Sequence, residues 1–475
     1  MVFPDKKDLI RKSLCSIGIL SLFFFVSCKD DDAVEEMKSE TTQDKKEEAP
    51  INYRALFSTN HKICEEEAKG IALDVASLLE GEDNGLKSGK ARVVEDVRVL
   101  HSERTSLRSG SSAEVSIPDT LAYVFNFAEG DGFAIISADD RLDCPVLACA
   151  ESGSIGDDTD NPGLAIFLEN AQVYMSRCIL KFEVEKDSMM EVAKQKLALE
   201  DSVPSNVLRR TFTGRYTYQT AKAVGPLLRT KWGQDAPYNR YTPLCSVNGN
   251  NTPTGCCATA MAQVMAYHRF PPLSFKDEIN SSITLNWSSM TAVPHAGKLS
   301  NETAKDMIAR LMRFIGKTAG MQYECEESKL STSKSITFMR SMAYKCGLID
   351  YNFSSAMSLL DKKNPFLMQG AAYVQEGGNT ERKGHFWVVD GYSINVVEQY
   401  QYVTNTETGK TITRRLSIDY KNSFLHVNWG WSGIGDGYFV AGCFDPIRAV
   451  QFDDFGVDVY DFKYELMMIS ASPLQ

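Results

Sequence analysis

Apolar positions recur at helical spacing from Glu65 to Leu79 and again from Glu302 to Ile315, which predicts an amphipathic helix in each stretch. Leu121–Phe127 and Phe133–Ala138 are apolar runs of strand character, joined by Glu129-Gly-Asp-Gly, a hairpin turn sequence. Asn161-Pro162 opens a helical pattern that reaches about Leu199. Beyond about residue 223 the chain is richer in aromatics. Its last third alternates strand-like runs with glycine turns: His385–Tyr392, Tyr400–Val403, Leu425–Trp429 and Gly437–Val440. That pattern predicts a curved antiparallel sheet packed beside helices, an α+β architecture. No internal repeat is present.

The N-terminus reads as a targeting signal. Lys6, Lys7, Arg11 and Lys12 precede an apolar run from Leu14 to Val26, shorter than the roughly 20 residues a membrane span needs. The run ends in Phe25-Val26-Ser27-Cys28, which resembles a bacterial lipobox and makes Cys28 the expected lipidation site. The boundaries that follow are a signal peptide at 1–27 and a charged, disordered tether at 28–50. An α+β domain is expected at 51–205, a polar linker at 206–222 and a second domain at 223–475. Arg209, Arg210 and Lys222 offer the linker to trypsin-like cleavage.

A length of 475 residues accommodates these units, and 43% apolar residues supply their cores. The net charge of −11 argues against nucleic acid as the main partner. Twelve cysteines show no CxxC or metal-ligand spacing. Cys144, Cys149, Cys178, Cys325, Cys346 and Cys443 sit among apolar residues and are expected to be mostly free, buried thiols.

Candidate chemistry begins at Thr254-Gly255-Cys256-Cys257. Ala258, Met261, Ala262 and Met265 repeat at helical spacing, which sets Cys256 in the first turn of a buried helix. Unpaired N–H groups and the positive end of the helix dipole favour a thiolate there. The alternative is a packed cysteine pair without a role. Of six histidines, His268 lies 12 residues along the same helix, about 18 Å away, too far to serve Cys256. His61 and His101 belong to the first domain and His295 to a polar loop. His385, after Gly384 at the mouth of an apolar strand, and His426, on one strand face with Asn428, both remain.

Further residues break the tie. Thr254–Met265, the strand Gly384–Gly391 and the segment His426–Trp431 resemble the Cys, His and Asn segments of papain-fold proteases, and most closely the streptopain family of bacterial cysteine proteases. The resemblance implies a papain-like catalytic domain at 223–475, preceded by an inhibitory pro-domain at 51–205. It implies Cys256 as nucleophile, Cys257 as packing, His385 as general base, and Asn428 and Trp429 as the residues that orient and shield the imidazole. Trp232–Asn239 is similar to the family's Gln-x-x-Pro-Tyr-Asn stretch, so Gln234 is the expected side-chain donor to the oxyanion, beside the Cys256 N–H. Two departures touch substrate preference: a polar insertion at 393–422, expected to be a hairpin, and Ala449–Gly456 where the family's type member carries a glycine-rich loop.

The expected activity is therefore hydrolysis of peptide bonds in protein or peptide substrates through a thioacyl-enzyme, with no metal or organic cofactor. The expected enzyme is a zymogen, secreted across the inner membrane and lipid-anchored at the outer membrane or cell surface. Its own pro-domain is the expected inhibitor. The competing readings are a catalytically silent surface binding protein on the same fold and a transglutaminase-like amide transferase.

Overall fold

The computed structural model describes residues 51–79, 91–102, 106–108, 114–156, 159–200, 208–276, 282–376, 379–444 and 466–474. The expectations for the leader, Cys28, the tether and Ala449–Gly456 lie outside the described residues.

The predicted elements form where the sequence places them. The helix Glu302–Ala319 begins where the Asn301 side chain accepts from the Ala304 N–H and ends at Gly320 in the left-handed region. Its stripe of Ala304, Ile308, Leu311, Met312 and Ile315 is buried. The hairpin Thr120–Phe127 with Phe133–Ser137 pairs Asn126 with Phe133. The helix Pro162–Glu200 is capped by Asn161, whose side chain accepts from the N–H groups of Gly163 and Leu164.

One antiparallel sheet runs through both domains. Across it lie Val94–His101, Thr120–Phe127, Phe133–Ser137, Val146–Ala150, Gly437–Val440, Thr411–Asn428, Asn379–Asn405, Phe366–Glu376, Met467–Pro473 and Tyr344–Asp350. The junction between the domains is the pairing of Cys149 with Tyr438, flanked by Ala148 with Phe439 and Ala150 with Gly437. The N-terminal domain thus extends the sheet of the second domain by strand addition, with backbone hydrogen bonds closing what would be an open edge.

The sheet is buried on both faces where it matters. Phe386 and Val388 enter one core with the helix Cys256–His268, while Trp387 and Val389 enter the other with Phe125, Phe167 and Phe439 of the two domains. A strand alternates its side chains between faces, so two cores make the run His385–Val389 read as continuously apolar. The helix Cys256–His268 is buried from Cys257 to Ala266 because apolar residues surround it on all sides.

Two expectations change. Residues 208–224 are a strand, paired with Tyr392–Asn405, rather than a loose linker. The insertion is a hairpin as expected: Asn379–Asn405 turns into Thr411–Asn428, and its free edge supplies the hydrogen-bonding groups that draw the linker into the sheet. Cys325 is not a free thiol but is bonded to Cys245, 80 residues away in sequence. No local spacing announces such a pair. Cys144, Cys346 and Cys443 are free thiols.

The disulfide joins the loop that leads into Gly255 to the hairpin formed by Gln322–Tyr323 and Ser328–Lys329. Ser328 Oγ donates to the Pro253 carbonyl at 2.8 Å, so this hairpin backs the start of the catalytic helix. Closing a loop of this length is worth about 2–4 kcal/mol. Replacing both cysteines by serine is expected to lower the denaturant midpoint accordingly. An unchanged midpoint would mean that the Ser328 contact holds the hairpin unaided.

Candidate active site

The helix that carries Cys256 starts abruptly. Gly255 has φ +86°, and a Cβ there would meet the Ser328 carbonyl oxygen at 2.9 Å, so only glycine allows this approach. Cys256 follows at the first helical position, half-buried, with its side chain at the positive end of the helix. Its thiol is held well below the ordinary range. A hydrogen bond from Cys257 acts first; against it stands burial, which opposes the charge; the charge and hydrogen bond of His385 and the N–H of Phe386 add to the lowering. Burial drives Cys257 the other way, well above the ordinary thiol range. Its Sγ faces the Leu330 carbonyl at 3.6 Å. Within the adjacent pair, the ionised sulfur is Cys256.

His385 is buried, 2% exposed. Its Nε2 lies 2.8 Å from the Trp429 carbonyl oxygen. A carbonyl only accepts, so Nε2 carries the proton and Nδ1 is left as the basic nitrogen. The ring stands between Trp387 and Trp431, each 6.3 Å away between centroids.

The structure corrects the part assigned to Asn428. Its Oδ1 accepts from Gln263 Nε2 at 2.9 Å and from the Gly430 N–H at 3.1 Å, and its Nδ2 donates to the Thr230 carbonyl at 2.9 Å. The side chain therefore braces the catalytic helix and does not bond the imidazole. The strand explains why: Asn428 and Trp429 point to opposite faces, the amide toward Gln263 and the indole into the core with Trp387 and Phe439. Trp429 orients His385 through its backbone carbonyl. The indole Nε1 donates to the Gly435 carbonyl at 3.0 Å, and the Trp429 N–H donates to Asp436 Oδ1 at 2.9 Å, which fixes that carbonyl in place.

Gln263 did not stand out in the sequence, although one signal was available. It lies seven residues after Cys256, on the same helix face, as a lone amide in an apolar helix. Fully buried, its Oε1 accepts from the Trp232 N–H at 3.1 Å. The neighbouring Thr254 N–H donates to the Gln234 carbonyl at 3.0 Å, and Thr259 Oγ1 donates to the Gly233 carbonyl at 3.3 Å. These bonds lay residues 232–234 along the first turns of the helix, which brings the buried Gln234 beside the Cys256 end.

His426 stands apart from this group. Its Nδ1 faces Asp390 Oδ1 at 2.6 Å and its Nε2 faces Glu151 Oε1 at 3.1 Å. Of the two, His385 is the histidine that interacts with Cys256. His268, at the far end of the helix, is held neutral by burial, with its pKa pushed down to about 4. Among the described residues no group of three or more His, Cys, Asp or Glu side chains is placed to hold a metal ion.

The N-terminal domain reaches this site. A Cβ at Gly163, in the first turn of the long helix, would lie 2.3 Å from the Trp429 ring and 2.7 Å from His385 Cδ2. Asn161 Nδ2 donates to the Ile434 carbonyl at 3.3 Å, and Ser152 Oγ donates to the Gly433 carbonyl at 2.7 Å. The start of that helix is pressed against the edge of the imidazole.

A helix-tip thiol with a lowered pKa, interacting with a carbonyl-held histidine across a helix–sheet junction, fits a cysteine peptidase. Comparison with known proteins carries this further. Residues 232–439 match the Peptidase C10 family, and residues 61–175 match the Spi protease inhibitor family. The chain is 24% identical over 405 residues to streptopain of Streptococcus pyogenes, covering 76% of this chain and 81% of that one. It is 25% identical over 345 residues to the thiol protease/hemagglutinin PrtT of Porphyromonas gingivalis, covering 69% of this chain and 34% of the relative. A solved fragment of Prevotella intermedia prointerpain A is 23% identical, with a TM-score of 0.44, over 76% of this chain and 97% of the fragment. Residues 232–439 belong to peptidase family C10, the streptopain family of cysteine peptidases.

Proposed function

We propose that this protein is an endopeptidase made as a latent precursor, with Cys256 as nucleophile and His385 as its acid–base partner. The observation that carries the reading is the interaction, by charge and hydrogen bond, of the Cys256 thiol with a His385 ring whose Nε2 is held by the Trp429 carbonyl. The thiolate attacks the scissile carbonyl carbon. The oxyanion so formed accepts from the Cys256 N–H and the Gln234 amide, each such donor being worth about 3–4 kcal/mol. His385 then protonates the leaving amine, and a thioacyl-enzyme remains. Water, deprotonated by His385, attacks the thioester, and the acid product leaves with the thiol restored. Protein and peptide substrates follow from the relatives' activity. Export and lipidation at Cys28 are part of the same proposal and rest on the leader sequence.

Latency is proposed to come from the N-terminal domain, which matches an inhibitor family and packs on His385. Cleavage within 206–222 would free the enzyme. Gly163→Val is expected to create an overpacked contact costing about 1–3 kcal/mol, and so to speed the onset of activity roughly tenfold or more. The lag before hydrolysis of a fluorogenic peptide measures this. An unchanged lag would remove Gly163 from the inhibitory contact.

The reaction itself is tested by incubating the activated enzyme with a peptide, a primary amine and a thiol-directed epoxide. Hydrolysis lost on labelling of Cys256 supports the peptidase reading. Incorporation of the amine would indicate a transferase, and labelling with no turnover of any kind would indicate a binding protein.

A further inference from the structure

Away from the reacting pair, the two domains share a buried cluster of charges. Glu151 of the N-terminal domain places Oε1 3.1 Å from His426 Nε2 and Oε2 2.8 Å from Lys231 Nζ. Its backbone N–H donates to the Asp436 carbonyl at 2.8 Å, so the side chain is aimed by the strand pairing that joins the domains. The two cations belong to the catalytic domain. Lys231 precedes Trp232 and Gln234, and His426 precedes Asn428 and Trp429.

Within the catalytic domain, Asp390 is the carboxylate that holds His426. Asp390 spends one oxygen on His426 Nδ1 and the other on the Leu228 N–H at 2.9 Å. It turns Nε2 outward as a donor, and the ion pair of Lys231 is with Glu151. Asp436, whose carboxyl burial raises to about 7, is only about half ionised at neutral pH. Two cations face one firm carboxylate, and a second carboxylate completes the balance.

We propose that Lys231 and His426 form a carboxylate-binding site in the catalytic domain, distinct from Cys256 and His385. Glu151 fills it in the full chain, and a side-chain carboxylate of an acidic peptide takes its place once the N-terminal domain has left. The second clause rests on the precursor reading above; the first does not. One carboxylate accepted by two donors of different elements is a shape- and charge-specific receptor, unlike an exposed ion pair.

The site works across ordinary pH. Against burial, His426 and then Lys231 hold Glu151 down at about 2; its contribution is present above the usual carboxylate range and is lost only as pH falls toward 2. Against burial, Asp390 and then Glu151 lift His426 to about 10; its contribution is complete below the usual histidine range and is lost as pH rises toward 10. The other groups facing His426 are the Tyr438 ring, 5.0 Å away, and the Asp436 carboxyl. The Glu151 contact is thus a constant clamp and not an acid-triggered release.

The test uses the full chain carrying Cys256→Ala, so that its outcome does not depend on peptidase activity. Adding Glu151→Ala is expected to lower Tm. Formate, which replaces the lost carboxylate, is expected to recover most of that loss saturably, where chloride at the same ionic strength does not. Recovery should vanish when Lys231→Met is added. Equal recovery by chloride, or recovery that survives Lys231→Met, would overturn the proposal. Should Glu151→Ala not fold, Glu151→Gln keeps the shape and removes the charge. It is expected to raise the rate of trypsin cleavage within 206–222 at least tenfold, and an unchanged rate would also overturn the proposal.

Discussion

Replacing Cys256 with alanine is expected to abolish peptide hydrolysis, with kcat falling by roughly 10⁴-fold or more. Trypsin would be used to open the linker of both proteins, so that a failure of self-processing is not mistaken for a failure of catalysis. The neighbouring Cys257→Ala is the internal control. The two sulfurs are adjacent and both are present as free thiols. Their surroundings differ: Cys256 is stabilised as a thiolate by the Cys257 hydrogen bond, by His385 and by the Phe386 N–H, while Cys257 is buried against the Leu330 carbonyl. Cys257→Ala removes a small buried group and one hydrogen bond to Cys256, and with His385 and the helix end still in place it is expected to lower kcat far less than Cys256→Ala does, while lowering stability by about 1 kcal/mol. Activity kept in Cys256→Ala and lost in Cys257→Ala would transfer the nucleophile to the next residue.

The second large effect is expected at His385. His385→Ala removes both the base for the thiol and the acid for the leaving amine, and should lower kcat by about 10³–10⁴-fold. Asn428→Ala should behave differently. It leaves Gln263 Nε2 and the Thr230 carbonyl without the bonds they make now. Buried groups stripped of a partner cost about 1–3 kcal/mol each, so the loss should show chiefly in the denaturant midpoint. A collapse of kcat in Asn428→Ala at unchanged stability would restore the amide as the partner of the imidazole and contradict the Trp429 carbonyl in that place.

The contrast between Asn428 and Trp429 shows where the sequence stops being legible. Side-chain chemistry is written in residue types: the thiol at a helix start, the histidine opening an apolar strand and the Asn-Trp-Gly-Trp segment are all visible as letters. A backbone carbonyl is present at every residue, so no letter marks the one that holds His385. The long hairpin and the two-sided apolar strand were readable because period and turn residues encode them locally. The Cys245–Cys325 bond, the Gln263 brace and the Glu151 clamp were not. Each joins residues distant in sequence, and each is decided by which faces the fold brings together. The linker is a subtler case. Its polar composition suggests a loop, but an unpaired edge of the insertion hairpin draws Leu208–Val224 into the sheet, where tertiary hydrogen bonding overrides composition.

The central claim is that His385 ionises Cys256. The most direct measurement is the pH dependence of Cys256 alkylation by iodoacetamide, followed at that residue by mass spectrometry in the full chain. The account predicts reactivity that persists well below the ordinary thiol range and that shifts to higher pH in His385→Ala, where the Cys257 hydrogen bond and the helix end remain. A wild-type profile already centred on an ordinary thiol, and unmoved by His385→Ala, would contradict it.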